Sequence, residues 1–214
     1  MTTRSASLGE GSGDLRAGAR PGPIHPLIVR ITHWINAAAV MVMLLSGWQI
    51  HNAYPTLPFT FPQSITLGDS LASGLQWHFA AMWVLAANGL IYLAYGLASG
   101  RFRRKLFPIR PKEVLRDARA ALAGKLGHAD LSVYNAVQRL LYAGVIAMGI
   151  LIVLTGLAIW KPVQFQGLTA FFGDFDTARL IHFLAMCAIA LFIAVHVVMA
   201  LLVPKSLLAM LRGR

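Results

Sequence analysis

The stretch Arg179-Leu-Ile-His182-Phe-Leu-Ala-Met-Cys187-Ala-Ile-Ala-Leu-Phe-Ile-Ala-Val-His196-Val-Val-Met-Ala-Leu-Leu-Val-Pro204 decides the fold. It is a long apolar run with two histidines and no charge after Arg179. A run of this length crosses a bilayer as a helix, because a helix satisfies its own backbone where water is absent. His182 and His196 are 14 residues apart. At roughly 100° per residue this is about 40° short of four turns, so both rings leave nearly the same face. The rise of about 1.5 Å per residue separates them by roughly 21 Å along the axis, one near each side of the membrane. Imidazole in hydrocarbon is costly and marks function. Two of them on one face at opposite depths suggest ligands for two stacked cofactors.

The composition agrees with a membrane protein. Of 214 residues, 57% are hydrophobic and only 13% charged, which is too apolar for a soluble domain of this size. The net charge of +11 sits in segments outside the apolar runs, so no soluble basic domain is present to bind nucleic acid. One cysteine, Cys187, excludes an intrachain disulfide, a cysteine zinc site and covalent haem attachment. Any haem is therefore non-covalent.

The sequence predicts an all-α membrane protein, a four-helix bundle occupying residues 24–205. Residues 1–23, rich in Gly, Ser, Ala and Arg, read as a disordered tail without the apolar core of a signal peptide. Spans are expected over about 31–50, 76–99, 134–160 and 180–203, with a C-terminal tail over 206–214. Four Lys or Arg precede the first span, nine lie between Gly100 and Val133, and three follow Pro204. The 52–75 loop has none and the 161–178 loop only Lys161. The positive-inside rule then places both termini and the 100–133 connection in the cytoplasm.

This topology gives each histidine a depth. His33 opens the first span from the inner side, and His196 lies at the inner end of the fourth. His78 opens the second span from outside, and His182 the fourth. The four form two depth-matched pairs, His33 with His196 and His78 with His182. Two axial imidazoles from facing helices are what a b-type haem iron takes, so two non-covalent haem b groups are expected. A histidine-only metal site is less attractive, since each pair supplies two ligands and no acidic residue lies at their depth. His51, five turns after His33, is an alternative outer ligand; His78 is preferred because it lies within its span. His25 and His128 read as solvent histidines.

Other residues suit such a site. Gly47 follows His33 by the same 14 residues and would let the outer haem face approach a helix backbone. Gly89, Gly96, Gly144, Gly149 and Gly156 read as helix contacts. Arg179 suits the outer propionates, Arg30 and Arg139 the inner ones. Asn36, Asn135 and Gln138 are amides at inner depth able to bond a quinone carbonyl. Phe59, Phe61, Phe171 and Phe172 in the outer loops suit either a docking face or an aromatic belt.

These residues resemble the four-helix di-haem cytochrome b family, which includes prokaryotic cytochrome b561 and the membrane subunits of formate dehydrogenase and nickel–iron hydrogenase. Arg30-Ile-Thr-His33-Trp34 is similar to the family's first-helix ligand motif and Trp77-His78-Phe79 to its second. His182 and His196 reproduce the paired ligands of the fourth helix. Tyr134-Asn135-Ala-Val-Gln138-Arg139 resembles a segment lining the cytoplasmic quinone pocket. The resemblance covers residues 24–205 and implies electron transfer in a bacterial inner membrane, between a periplasmic redox partner and quinone. It is greatest to the subunits that accompany periplasmic molybdopterin oxidoreductases; a hydrogenase partner is disfavoured because the fifth helix of some hydrogenase cytochromes is absent. Two other readings compete: a self-sufficient superoxide:quinone oxidoreductase, and a haem-free membrane anchor.

Overall fold

The computed structural model describes residues 25–123 and 134–213. The tail over 1–23 and His128 lie outside the described residues. The elements in order are α1 (Leu27–Ala53), a 3-10 turn (Gln63–Ile65), α2 (Leu71–Ala98), α3 (Arg101–Leu106), α4 (Pro111–Leu122), α5 (Ala136–Trp160), α6 (Gln166–Phe171), α7 (Phe175–Leu202) and α8 (Pro204–Arg212). Among the described residues there is no strand. α1, α2, α5 and α7 are each long and apolar enough to cross a membrane, and the protein is an all-α integral membrane bundle. Their outward faces stay apolar: Trp83, Leu90, Leu191 and Leu201 are all more than 60% exposed, as lipid-facing side chains are.

α2 and α7 begin earlier than the apolar runs because polar caps start them. Ser70 accepts from the Ser73 N–H and Ser73 reciprocates, opening α2 five residues before Gln76. Asp174 accepts from the Thr177 N–H and opens α7 at Phe175. Asn135 and Gln138 form a capping box at α5.

α1 packs along α2, and α5 along α7. A cluster of Leu44, Phe183 and Met186, with Val40, Trp48, Ile152 and Ile193 around it, joins the two hairpins. Inside the first hairpin the buried Asn88 donates to the Thr32 carbonyl at 2.7 Å and to Asn36 Oδ1 at 2.7 Å.

The basic end differs from the sequence expectation. The expected tail over 206–214 is largely helix: Pro204 occupies the first turn of α8, where its missing N–H is harmless, rather than only ending α7. Arg30 donates to the carbonyls of Met210 (3.0 Å) and Leu211, closing the C-terminus of α8. The 100–133 connection contains α3 and the amphipathic α4. Asp117 on α4 accepts from the Ala136 N–H at 3.0 Å. That N–H holds the Asp117 carboxyl below its usual range, so the contact is present at neutral pH and lost as pH falls.

Asn88→Leu should destabilise the protein by about 0.6–1.7 kcal/mol, the range of an interhelical hydrogen bond in a membrane. A thermal scan in detergent reads this directly; an unchanged midpoint means the Asn88 link contributes nothing.

Candidate functional site

α7 presents both of its histidines to the bundle interior. His196 meets His33 of α1, with ring centres 6.0 Å apart and planes at 63°. His182 meets His78 of α2, with ring centres 6.5 Å apart and planes at 62°. Two imidazoles on opposite sides of one metal ion, each bond about 2 Å, have ring centres roughly 6 Å apart. The donor set and its spacing thus fit a bis-imidazole iron at each pair. Among the described residues no cluster of three or more His, Cys, Asp or Glu could hold a metal ion, so each site offers two such ligands.

The surroundings of the two pairs differ. At the loop end, Ser46 Oγ lies 3.1 Å from His78 Nδ1 and Thr155 Oγ1 lies 3.0 Å from His182 Nδ1. At the basic end the rings meet aromatics instead: Trp34 lies edge-on to His33 at 5.3 Å, and Phe192 stacks on His196 at 5.7 Å and 12°. Beside Phe192, an apolar groove of about 290 Å³ runs between α5 and α7, lined by Leu140, Gly144, Met148 and Ile189.

His51 is fully engaged elsewhere. The Thr56 N–H donates to its Nδ1 at 3.3 Å, so Nε2 carries the proton and donates to the Phe59 carbonyl at 3.0 Å. Its ring is packed by Phe59, Phe61 and Phe183. Both nitrogens serve the 54–70 loop, and neither has a lone pair to offer a metal.

Several expected contacts differ. Arg179 donates to the Tyr54 carbonyl at 2.8 Å and to Thr56 Oγ1 at 3.3 Å, and it covers the Tyr54 ring. Arg30, on α1, donates to the Met210 and Leu211 carbonyls of α8, and Arg139 bonds the carbonyls of Tyr134 and Pro108. A guanidinium in a membrane protein finds backbone carbonyls as readily as carboxylates. Gly47 does face the outer pair, but what lies over it is the His78 ring, 3.6 Å from where a Cβ would be. Gly156 was expected to serve only helix contact and instead mirrors Gly47, with His182 at 3.3 Å. A Cβ added at Gly89, Gly144 or Gly149 would meet no neighbouring element within 4 Å. Phe61 stacks on Trp48 at 4.8 Å and belongs to the interior, whereas Phe171 is 79% exposed.

At the basic end, Asn135 and Gln138 share the α5 cap: Asn135 Oδ1 accepts from the Gln138 N–H, and Gln138 Oε1 from the Asn135 N–H. Their carbonyl oxygens are committed to the backbone. His25 is not a solvent histidine. Its Nδ1 is buried without a partner, and burial, then the cations Arg101 and Lys105, lower its pKa. Ser46, Thr155 and Asn88 escaped the sequence reading. The signal for the first two was a hydroxyl directly before a glycine in each of two apolar runs.

Comparison with known proteins adds to this geometry. The family model described as prokaryotic cytochrome b561 matches residues 24–213. A protein of Azospira oryzae, named as a candidate protein-methionine-sulfoxide reductase subunit YedZ1, is 51% identical over 89% of this chain and 96% of its own. A probable Ni/Fe-hydrogenase B-type cytochrome subunit of Bradyrhizobium diazoefficiens is 25% identical over 90% of this chain and 83% of its own. Its namesake in Cupriavidus necator is 24% identical over 81% and 76%.

The two candidate outer histidines separate by mutation. His78→Ala should lower the haem content by one group per chain in a pyridine haemochrome assay. His51→Ala should leave that content unchanged while loosening the 54–70 loop to proteolysis. The reverse pattern makes His51 the ligand.

Proposed function

The chain belongs to the prokaryotic cytochrome b561 family, and from that premise we propose that it carries electrons across a bacterial inner membrane between quinone and a periplasmic oxidoreductase. The observation that carries the reading is the pair of imidazole pairs, 14 residues apart on α7, each with its rings about 6 Å apart. His33 and His196 hold one non-covalent haem b, and His78 and His182 the other. When bound, haem b supplies a one-electron carrier at each depth. The chain's own part is to fix the imidazoles from three helices and to keep water out with Trp34, Phe192 and Phe183.

The excess of Lys and Arg at the basic end supports a cytoplasmic position for both termini. The quinone head is assigned to that end. The apolar groove beside Phe192 gives a prenyl chain a way in from the lipid. Asn135 and Gln138, whose carbonyl oxygens serve the α5 cap, can offer amide N–H groups to the quinone oxygens without the burial cost of a charge. At the opposite end Phe171 and Val163, 79% and 82% exposed, form an apolar surface for the partner. The 51% identity to a protein named as a methionine-sulfoxide reductase subunit favours a partner of that activity. The hydrogenase cytochromes, at 24–25%, support it less.

Purified protein should contain close to two haems per polypeptide, with low-spin spectra. After dithionite reduction, a periplasmic methionine-sulfoxide reductase should reoxidise it only when methionine sulfoxide is also present. One haem or none removes the two-pair reading, and a spectrum that stays reduced removes this partner.

The quinone assignment has its own test. Asn135→Asp with Gln138→Glu keeps both cap acceptors and deletes both amide donors. Quinol-driven haem reduction should slow about tenfold, the cost of one to two hydrogen bonds, with haem content and the dithionite spectrum unchanged. Normal quinol kinetics would move the head group towards His25 and Asn36.

A further inference from the structure

Ser46 and Thr155 have the largest fully buried side chains among the described residues, both at 0% exposure. A hydroxyl has one hydrogen. Ser46 donates its hydrogen to the Val42 carbonyl at 2.6 Å, and Thr155 donates to the Leu151 carbonyl at 2.8 Å. Toward the neighbouring histidine each oxygen is then an acceptor only. His78 Nδ1 and His182 Nδ1 must therefore be the donors, at 3.1 and 3.0 Å, with the Met43 and Ile152 carbonyls as further acceptors beside the two hydroxyls. In a neutral ring the lone pair is left on Nε2, the atom a metal takes.

The arrangement occurs twice. Ser46-Gly47 of α1 faces His78 of α2, and Thr155-Gly156 of α5 faces His182 of α7. A Cβ at Gly47 would stand in ordinary contact with the His78 Cε1, at 3.6 Å, and one at Gly156 in tight contact with the His182 Cε1, at 3.3 Å, so each imidazole lies directly against the adjacent helix. The His33 and His196 rings meet Trp34 and Phe192 and have no hydroxyl partner among the described residues.

We propose that Ser46 and Thr155 are positioning residues that set the electron affinity of the group held by His78 and His182, and so make the two redox sites of this chain unequal. The inference rests on the haem assignment above. An imidazole whose N–H is donated to an oxygen is a more basic ligand and favours the oxidised iron, which lowers the reduction potential. The loop-end site has two such rings. Among the described residues the basic-end site has none.

The test is a redox titration of purified, haem-loaded protein, read in the α-band and by low-spin electron paramagnetic resonance. Ser46→Ala and Thr155→Val should each raise the midpoint of one of the two haems, changing its reduced-to-oxidised ratio at fixed potential about three- to tenfold. For a one-electron couple that is about 28–59 mV. The second haem should not move, the double variant should move the same haem further, and Thr155→Ser should keep the wild-type midpoint. Should Thr155→Val lose that haem, Thr155→Ser keeps it if the hydroxyl is responsible and loses it if packing is. Unchanged midpoints in variants with two haems overturn the proposal, as does a shift shared by both haems or an equal shift in Thr155→Ser. A wild-type protein without two haems overturns the haem assignment instead, and the two failures are told apart by the pyridine haemochrome value.

Discussion

A neutral imidazole buried among apolar side chains must give its N–H to something, and an unpaired buried donor costs about 1–3 kcal/mol. At the loop end of this bundle the requirement is met by hydroxyls one helix away. Much else is arranged around those contacts. α1 has to lie close enough to α2 for Ser46 to reach His78, and α5 close enough to α7 for Thr155 to reach His182. Glycine at 156 eases the second approach, since a Cβ there would stand only 3.3 Å from the ring. Leu44, Phe183 and Met186 then bring the two hairpins together. A Cβ at Gly156 would stand 3.3 Å from the ring, so the His182 imidazole would have to give by a few tenths of an ångström.

The basic end is held by a different physics. Its cations bond carbonyls at chain reversals: Arg30 at the end of α8, Arg139 at Pro108 and Tyr134, Arg104 at Ser99. Asp117 closes the start of α5 in the same way with the opposite charge. These contacts sit where the chain leaves the apolar layer and where water no longer competes fully for the backbone. The positive charge that reads as an orientation signal therefore also holds α8 and the α2–α5 connection in place.

The four long helices were legible because length and apolarity in hydrocarbon leave one backbone solution. The pairing of His78 with His182 and of His33 with His196 was legible because a 14-residue spacing on one helix sorts partners by depth. What was not legible depended on contacts made by loops. His51 is held by the Thr56 N–H and the Phe59 carbonyl, and those reach it only once the 54–70 loop has folded back. Arg30 and Arg179 lie one turn before a histidine in sequence, yet a long guanidinium stem takes its head to Met210 in one case and Tyr54 in the other. Pro204 reads as a stop, while its place at the first turn of α8 follows from what comes after it. Ser46 and Thr155 were hidden because a hydroxyl in a membrane helix ordinarily bonds its own i−4 carbonyl, and both do so here as well.

That local bond is the step that matters. A hydroxyl left to rotate freely can donate to an imidazole or accept from it, and would tolerate either tautomer. Once its hydrogen is committed to Val42 or Leu151, it accepts only, and the ring beside it has a single neutral state available. The helix backbone thus selects the tautomer of a histidine on another helix, through one oxygen. α5, which carries no histidine, packs against α7. Its contribution to the site is Thr155 and Gly156: the acceptor that orients His182 and the space in which that ring lies.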